Sequence, residues 1–143
     1  MIGAKVTAGT AAARLRQAGE LLSDEKALRE DMREAAEPLA DRMKENIEGI
    51  RGRKGSFHTG LTADDVTIAD QPTTLGLVKL KIGLTSGKEG RAFIGRFLEY
   101  GTSRMPAYSW CRPANDAEGG AHLGSRLVAI ARRRIASVLR RVA

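Results

Sequence analysis

Apolar residues recur along this chain with two periods, and the change from one to the other divides it into elements. Leu28, Met32, Ala35, Ala36, Leu39, Met43 and Ile47 fall three or four residues apart, the spacing of one helix face. Ser23 before them is an N-cap residue, and Asp24 and Glu25 stand where the positive end of a helix favours negative charge. Pro38 interrupts this main helix, and because the stripe continues past it a kink is expected rather than a break. Upstream, Leu15, Ala18, Leu21 and Leu22 predict a short helix from Thr10, weakened by Gly19, and residues 1–9 read as a flexible arm. The stretch 49–60 holds four glycines, Arg51, Arg53, Lys54 and His58 with no apolar period, and reads as a mobile basic loop. The period then becomes two: Val66 and Ile68 alternate, as do Val78, Leu80, Ile82 and Leu84 against Leu77, Lys79 and Lys81. At least two antiparallel strands follow, with Pro72 and its neighbours as their connection and residues 86–90 as the exit turn. Phe93, Ile94, Phe97 and Leu98 return to helical steps for one or two turns. An aperiodic stretch runs to Pro113, which is placed for the first turn of a last helix. That helix is interrupted early at Gly119 and Gly120 and continues on Leu123, Leu127, Ile130, Ala131, Ile135, Val138 and Val142. The fold class predicted is α+β: a long N-terminal helix, a small antiparallel β-sheet, a short helix with an ordered loop, and a C-terminal helix.

A chain of 143 residues suits a single domain, 1–143, able to bury about 70% of its unfolded surface. No apolar run approaches the roughly 20 residues that cross a bilayer, and the start lacks the apolar block of a secretory signal, so no membrane association is expected and a cytosolic origin is. The lone Cys111 cannot form an internal disulfide and reads as a small packing residue; no cysteine or histidine cluster has metal-ligand spacing, so no cofactor or metal is expected. The net charge of +7 is unevenly spread. Residues 20–48 hold ten acidic and five basic side chains, whereas residues 119–143 hold six arginines and no acid. Two solvated helix faces would account for this. So would complementarity between the two segments, within one chain or between copies, and nucleic acid is a third claimant for the arginines.

The aperiodic stretch 97–114 concentrates a carboxylate, a glycine, two prolines and several aromatics, and ordered loops of this kind usually carry function. Gly101 follows an apolar helical turn, as a left-handed helix C-cap would. Glu99 and Arg112 bracket the loop with opposite charges, and a bidentate pair between them would pin its ends. Pro106 favours an extended backbone at Met105. Tyr108 and Trp110 are open to two readings, as caps on the chain's own core or as anchors for a partner.

Glu99-Tyr100-Gly101-Thr102, Met105-Pro106-Ala107 and Arg112-Pro113-Ala114 resemble the signature of the minor tail-component, or neck, family of long-tailed bacteriophages. Where that family commonly has a proline before the aromatic and an aliphatic residue after it, this chain has Ser109 and Cys111 around Trp110. Upstream, Thr59-Gly60-Leu61 and Val66-Thr67-Ile68 are similar to the family's turn into its first strand, so the resemblance covers roughly residues 26–143. It implies a structural virion protein, a homo-oligomeric ring of most plausibly six copies between head connector and tail terminator or tail tube, assembled in the bacterial cytoplasm. It further implies an interface loop of Glu99, Tyr100, Gly101, Thr102, Pro106, Tyr108, Trp110, Arg112 and Pro113. In such a ring Arg51, Arg53 and Lys54 could face passing DNA and touch phosphates without reading sequence.

The competing reading is a non-specific nucleic-acid-binding protein using the basic loop and the C-terminal arginines, although Arg132, Arg133 and Arg134 spread around the helix instead of lining one face. Enzymatic chemistry is not expected, since neither His58 nor His122 has a nucleophile or carboxylate at a diagnostic spacing, and Asp64 and Asp65 read as turn formers.

Overall fold

In the computed structural model, residues 8–51, 63–74, 77–84 and 91–143 are described. Their order is α1 (Ala8–Leu22), α2 (Glu25–Arg51), a 3₁₀ turn (Ala63–Asp65), β1 (Val66–Thr74), β2 (Leu77–Leu84), α3 (Arg91–Tyr100), α4 (Arg112–Glu118) and α5 (Gly120–Val142). The α+β architecture is the one expected, with helices outweighing a two-stranded antiparallel sheet.

The organising element is α2. Ala35, Ala36, Leu39, Ala40, Met43, Ile47 and Ile50 are buried along one face, and the outward residues among those described are polar or glycine. The C-terminal half of that face meets Val66 and Leu84 of the sheet, Leu98 of α3, Trp110 of the loop and Ala114 of α4 in one core. Its N-terminal half, at Ala35 and Ala36, lies toward α5, and Ala18 of α1 with Ile130 and Val138 of α5 are buried there as well. Small side chains let these helices approach closely.

Several boundaries differ from expectation. α1 is a helix of 15 residues, longer than its weak stripe predicted, because its burial against α5 compensates for Gly19. The cap of α2 is Asp24 instead of Ser23: its carboxylate accepts the Lys26 N–H at 3.1 Å and its carbonyl the Leu28 N–H at 2.9 Å, while Ser23 Oγ donates back to Glu20 of α1. α2 runs unbroken through Pro38 to Arg51, so Gly49, Ile50 and Arg51 are helical and not loop, held by burial of Ile50. Most of the expected arm and basic loop, including Arg53, Lys54 and His58, lies outside the described residues, as do residues 86–90. Pro72 lies inside β1 instead of connecting the strands; the register slips between Gln71 and Thr74, and a residue without an N–H is tolerated at such an irregularity on an edge strand.

Polar side chains fasten the sheet to α2. Arg29 bonds the Gln71 carbonyl at 3.1 Å and Thr73 Oγ1 at 2.7 Å, and Arg33 bonds the Ile68 carbonyl and pairs with Asp70. Thr73 in turn donates to Glu25 at 2.6 Å, and this bond, with Arg29 beside it, holds the Glu25 carboxyl below the usual range.

The charge polarity seen in the sequence is satisfied within the chain for three of the six C-terminal arginines. Arg134 pairs with Asp31, Arg133 with Glu34 at 2.7 Å, and Arg126 with Glu118 at 2.9 Å while also donating to the Ala35 carbonyl. That carbonyl is next to the one left without its helical donor by Pro38.

Candidate functional site

The loop from Glu99 to Pro113 is built around one carboxylate. Glu99 is buried, 7% exposed, at the end of α3, and it crosses to the beginning of α4. Its Oε2 accepts the Trp110 and Cys111 N–H groups at 2.9 and 2.8 Å, and its Oε1 accepts the Arg112 N–H at 3.0 Å. The last two are backbone donors that a helix leaves unpaired at its start, and the residue preceding α4, Cys111, offers no side-chain cap of its own. A carboxylate from a distant element therefore does the capping, where the helix dipole also favours it. The expected Glu99–Arg112 pair is present but not bidentate: a single contact of 4.0 Å joins Arg112 Nε to Oε1, and the arginine side chain is 63% exposed. Three short backbone bonds already occupy the carboxylate.

Further bonds fix the rest. The Tyr108 N–H donates to the Leu98 carbonyl at 2.7 Å, and Ser109 Oγ donates to the Glu99 carbonyl at 3.1 Å. The Trp110 indole N–H donates to the Gly95 carbonyl at 2.8 Å, and Asn46 of α2 donates to the Trp110 carbonyl at 2.9 Å. Trp110 is thus buried in the chain's own core, which decides between its two readings in favour of the internal one. Tyr108 is half-buried beside the same core. Gly101 has φ +75°, the left-handed cap expected, with its N–H on the Phe97 carbonyl at 2.7 Å. A Cβ there would stand 2.9 Å from both the Met105 carbonyl oxygen and the Ala107 nitrogen, so close approach requires glycine as much as φ does. Thr102 and Met105 bridge one another, with the Thr102 N–H on the Met105 carbonyl at 2.8 Å. Pro106 and Pro113 are exposed, Pro113 in the first turn of α4.

No family model matches this chain, and neither does any curated protein or solved structure.

Reading the sequence missed two residues that the loop depends on. Gly95 lies in the middle of α3, where a Cβ would meet Leu84 Cδ1 at 2.0 Å; the signal was a glycine within a helical period, which costs stability unless something needs the space. Asn46 is a polar residue between the buried positions of α2, and such a residue needs a partner. Also missed was the outer face of α3: Phe93, Phe97 and Tyr100 are exposed along one stripe, the two phenyl rings packed edge to face at 4.2 Å. Of the residues expected near DNA, only Arg51 is described, at the end of α2. Burial, with the Glu99 charge as a lesser cause, raises the Cys111 thiol above its ordinary value. Among the described residues no group of His, Cys, Asp and Glu is arranged to hold a metal ion, and no helix is long and apolar enough to cross a membrane.

Proposed function

We propose that this chain is a structural virion protein of a phage neck or tail end, one member of a ring that joins the head connector to the tail tube. One observation carries the reading: the residues of the three matched words bond to one another. Glu99 of the first word caps Arg112 of the third, while Thr102 bridges Met105 of the second and Gly101 packs against it. A signature whose members hold each other in one fixed loop fits a family motif that sets backbone shape for assembly. In this reading the activity is assembly and not catalysis, the copies pack side by side in a ring of six, and the connector and tail proteins are the neighbours. DNA passes through without being read.

The alternative of non-specific nucleic-acid binding through α5 has less support, because Arg126, Arg133 and Arg134 are engaged by carboxylates of the same chain. The deciding experiment is electron microscopy of a lysate from the encoding phage or prophage, with the gene stopped early and then complemented. Filled heads and tails lying apart, or tails of aberrant length, are expected. Normal infectious particles would overturn the assignment.

A further inference from the structure

The outer side of α3 and the adjoining edge of β2 form a second feature, which borders the capped loop and shares Glu99, Trp110 and Cys111 with it. Between them lies a cleft of about 450 Å³ floored by Ile82, Leu84 and Trp110, with Lys81 on one wall and Arg96 and Tyr100 on the other. Gly95 brings α3 against its floor, since a Cβ there would stand 2.0 Å from Leu84 Cδ1. Tyr100 continues outward into Phe93 and Phe97, so the cleft opens onto an exposed aromatic shelf with Tyr100 68% and Phe93 62% accessible. Contiguous exposed aromatics beside arginine are the composition of interface centres. Among the described residues neither Lys81 nor Arg96 has an ion-pair partner, and Glu99, which also lines the cleft, is buried with its carboxylate committed to three backbone donors.

We infer that this cleft and shelf dock an acidic segment of another protein, one that inserts an apolar side chain between Lys81 and Arg96 and sets its carboxylates against them. The occupant follows from charge. A second copy does not complement the site: its exposed apolar side chains Leu15, Val128, Ile135 and Leu139 stand beside arginines, Leu77 is two residues from Lys79 on the same strand face, and its own aromatic shelf carries Arg96, so each would bring cation to cation. Its acidic stripe on the outside of α2 (Glu30, Glu37, Asp41 and Glu45) has no exposed apolar residue among those described to enter the cleft. Nucleic acid fits less well, because Phe93 and Phe97 are packed on each other instead of presenting open faces for base stacking. The docking surface holds whether or not the chain belongs to a phage neck, since it is read from its own chemistry.

The test uses the full chain and short fluorescein-labelled peptides in which one central leucine or phenylalanine is flanked by aspartate and glutamate. Trp110 is the sole tryptophan and lines the cleft, so its emission reports occupancy. Binding with a change in that emission is expected, lost when the anchor is alanine and at least about tenfold weaker in Lys81→Glu and Arg96→Glu, with Arg132→Glu unchanged. Both charge-reversal sites are exposed, and circular dichroism of the variants checks the fold. Equal binding of peptides with lysine flanks, or no effect of either reversal, would overturn the inference. Preferential binding of an oligothymidine would replace it with a nucleic-acid surface, and loss of self-association in Lys81→Glu would replace it with a contact between copies.

Discussion

Glu99 stabilises two elements at once, since its carboxylate closes the loop after α3 and supplies the cap of α4. Glu99→Ala leaves three amide donors without their acceptor, and a loss of about 3 kcal/mol in urea unfolding is expected. Glu99→Gln should recover part of this, because one oxygen remains to accept, whereas Arg112→Ala should change stability little, its guanidinium being exposed. The reverse order, with Arg112→Ala the costlier change, would restore the side-chain lock. Gly101→Ala meets both a left-handed backbone and two backbone atoms at 2.9 Å, so a loss of at least about 2 kcal/mol is expected. Thr67 offers the opposite case: among the described residues its Oγ1 is buried without a hydrogen-bond partner, and Thr67→Val should leave stability equal or raise it by about 1 kcal/mol in the same assay.

At the scale of elements, α2 is joined to its neighbours by polar contacts of unequal burial. The Asp31–Arg134 pair is largely enclosed, at 23% and 18% side-chain exposure, whereas Glu34–Arg133 is open at 50% and 62%. A double-mutant cycle should give about 1 kcal/mol of coupling for the first pair. At 1 M salt, where the Debye length is about 3 Å, that coupling should persist and any coupling of the exposed pair should vanish. Glu25 ties the N-terminal turn of α2 to β1 through Thr73. Its folded carboxyl titrates below the ordinary value, so its contribution is present above the unfolded pKa and is lost as pH falls through the folded one. Glu25→Gln should therefore flatten the acid side of the stability profile and leave its slope at neutral pH unchanged.

For the whole molecule, the electrical polarity serves first to hold the chain together: the arginines of α5 meet carboxylates of α2 and α4 before any partner is present. Arg132, Arg140 and Arg141 remain without ion-pair partners among the described residues. Weak duplex binding that disappears at moderate salt is the expected behaviour of such a remainder, measured by anisotropy across a salt series. Tight duplex binding near physiological salt, falling with the steep salt slope of many phosphate contacts, would favour the nucleic-acid reading over the assembly reading. Cys111 adds a check on the assembled core: its thiol should react with an alkylating reagent more slowly than a free cysteine at the same pH, and at the ordinary rate once the chain is unfolded.

Periodicity, with Pro113 for α4, determined the main elements and their order but not the bounds of α1, α2 and β1, because each buries a face whose spacing is written locally: three and four along α2, two along β2. Gly101 was legible for the same reason, as a backbone requirement at a helix end. What tertiary structure decided was which groups meet. Glu99 and Arg112 advertise a pair of charges, yet the nearest donors to the carboxylate are amides whose position depends on how α4 is turned toward α3. Trp110 reads equally well as an anchor or as core until Asn46, distant in sequence, takes its carbonyl. Phe93 and Phe97 sit in a helical period and yet face outward, because Leu98, Gly95 and Glu99 occupy the side of α3 turned to the core and a short helix has only one such side. Spacing fixes which residues share a face; the direction of that face depends on the neighbours it finds.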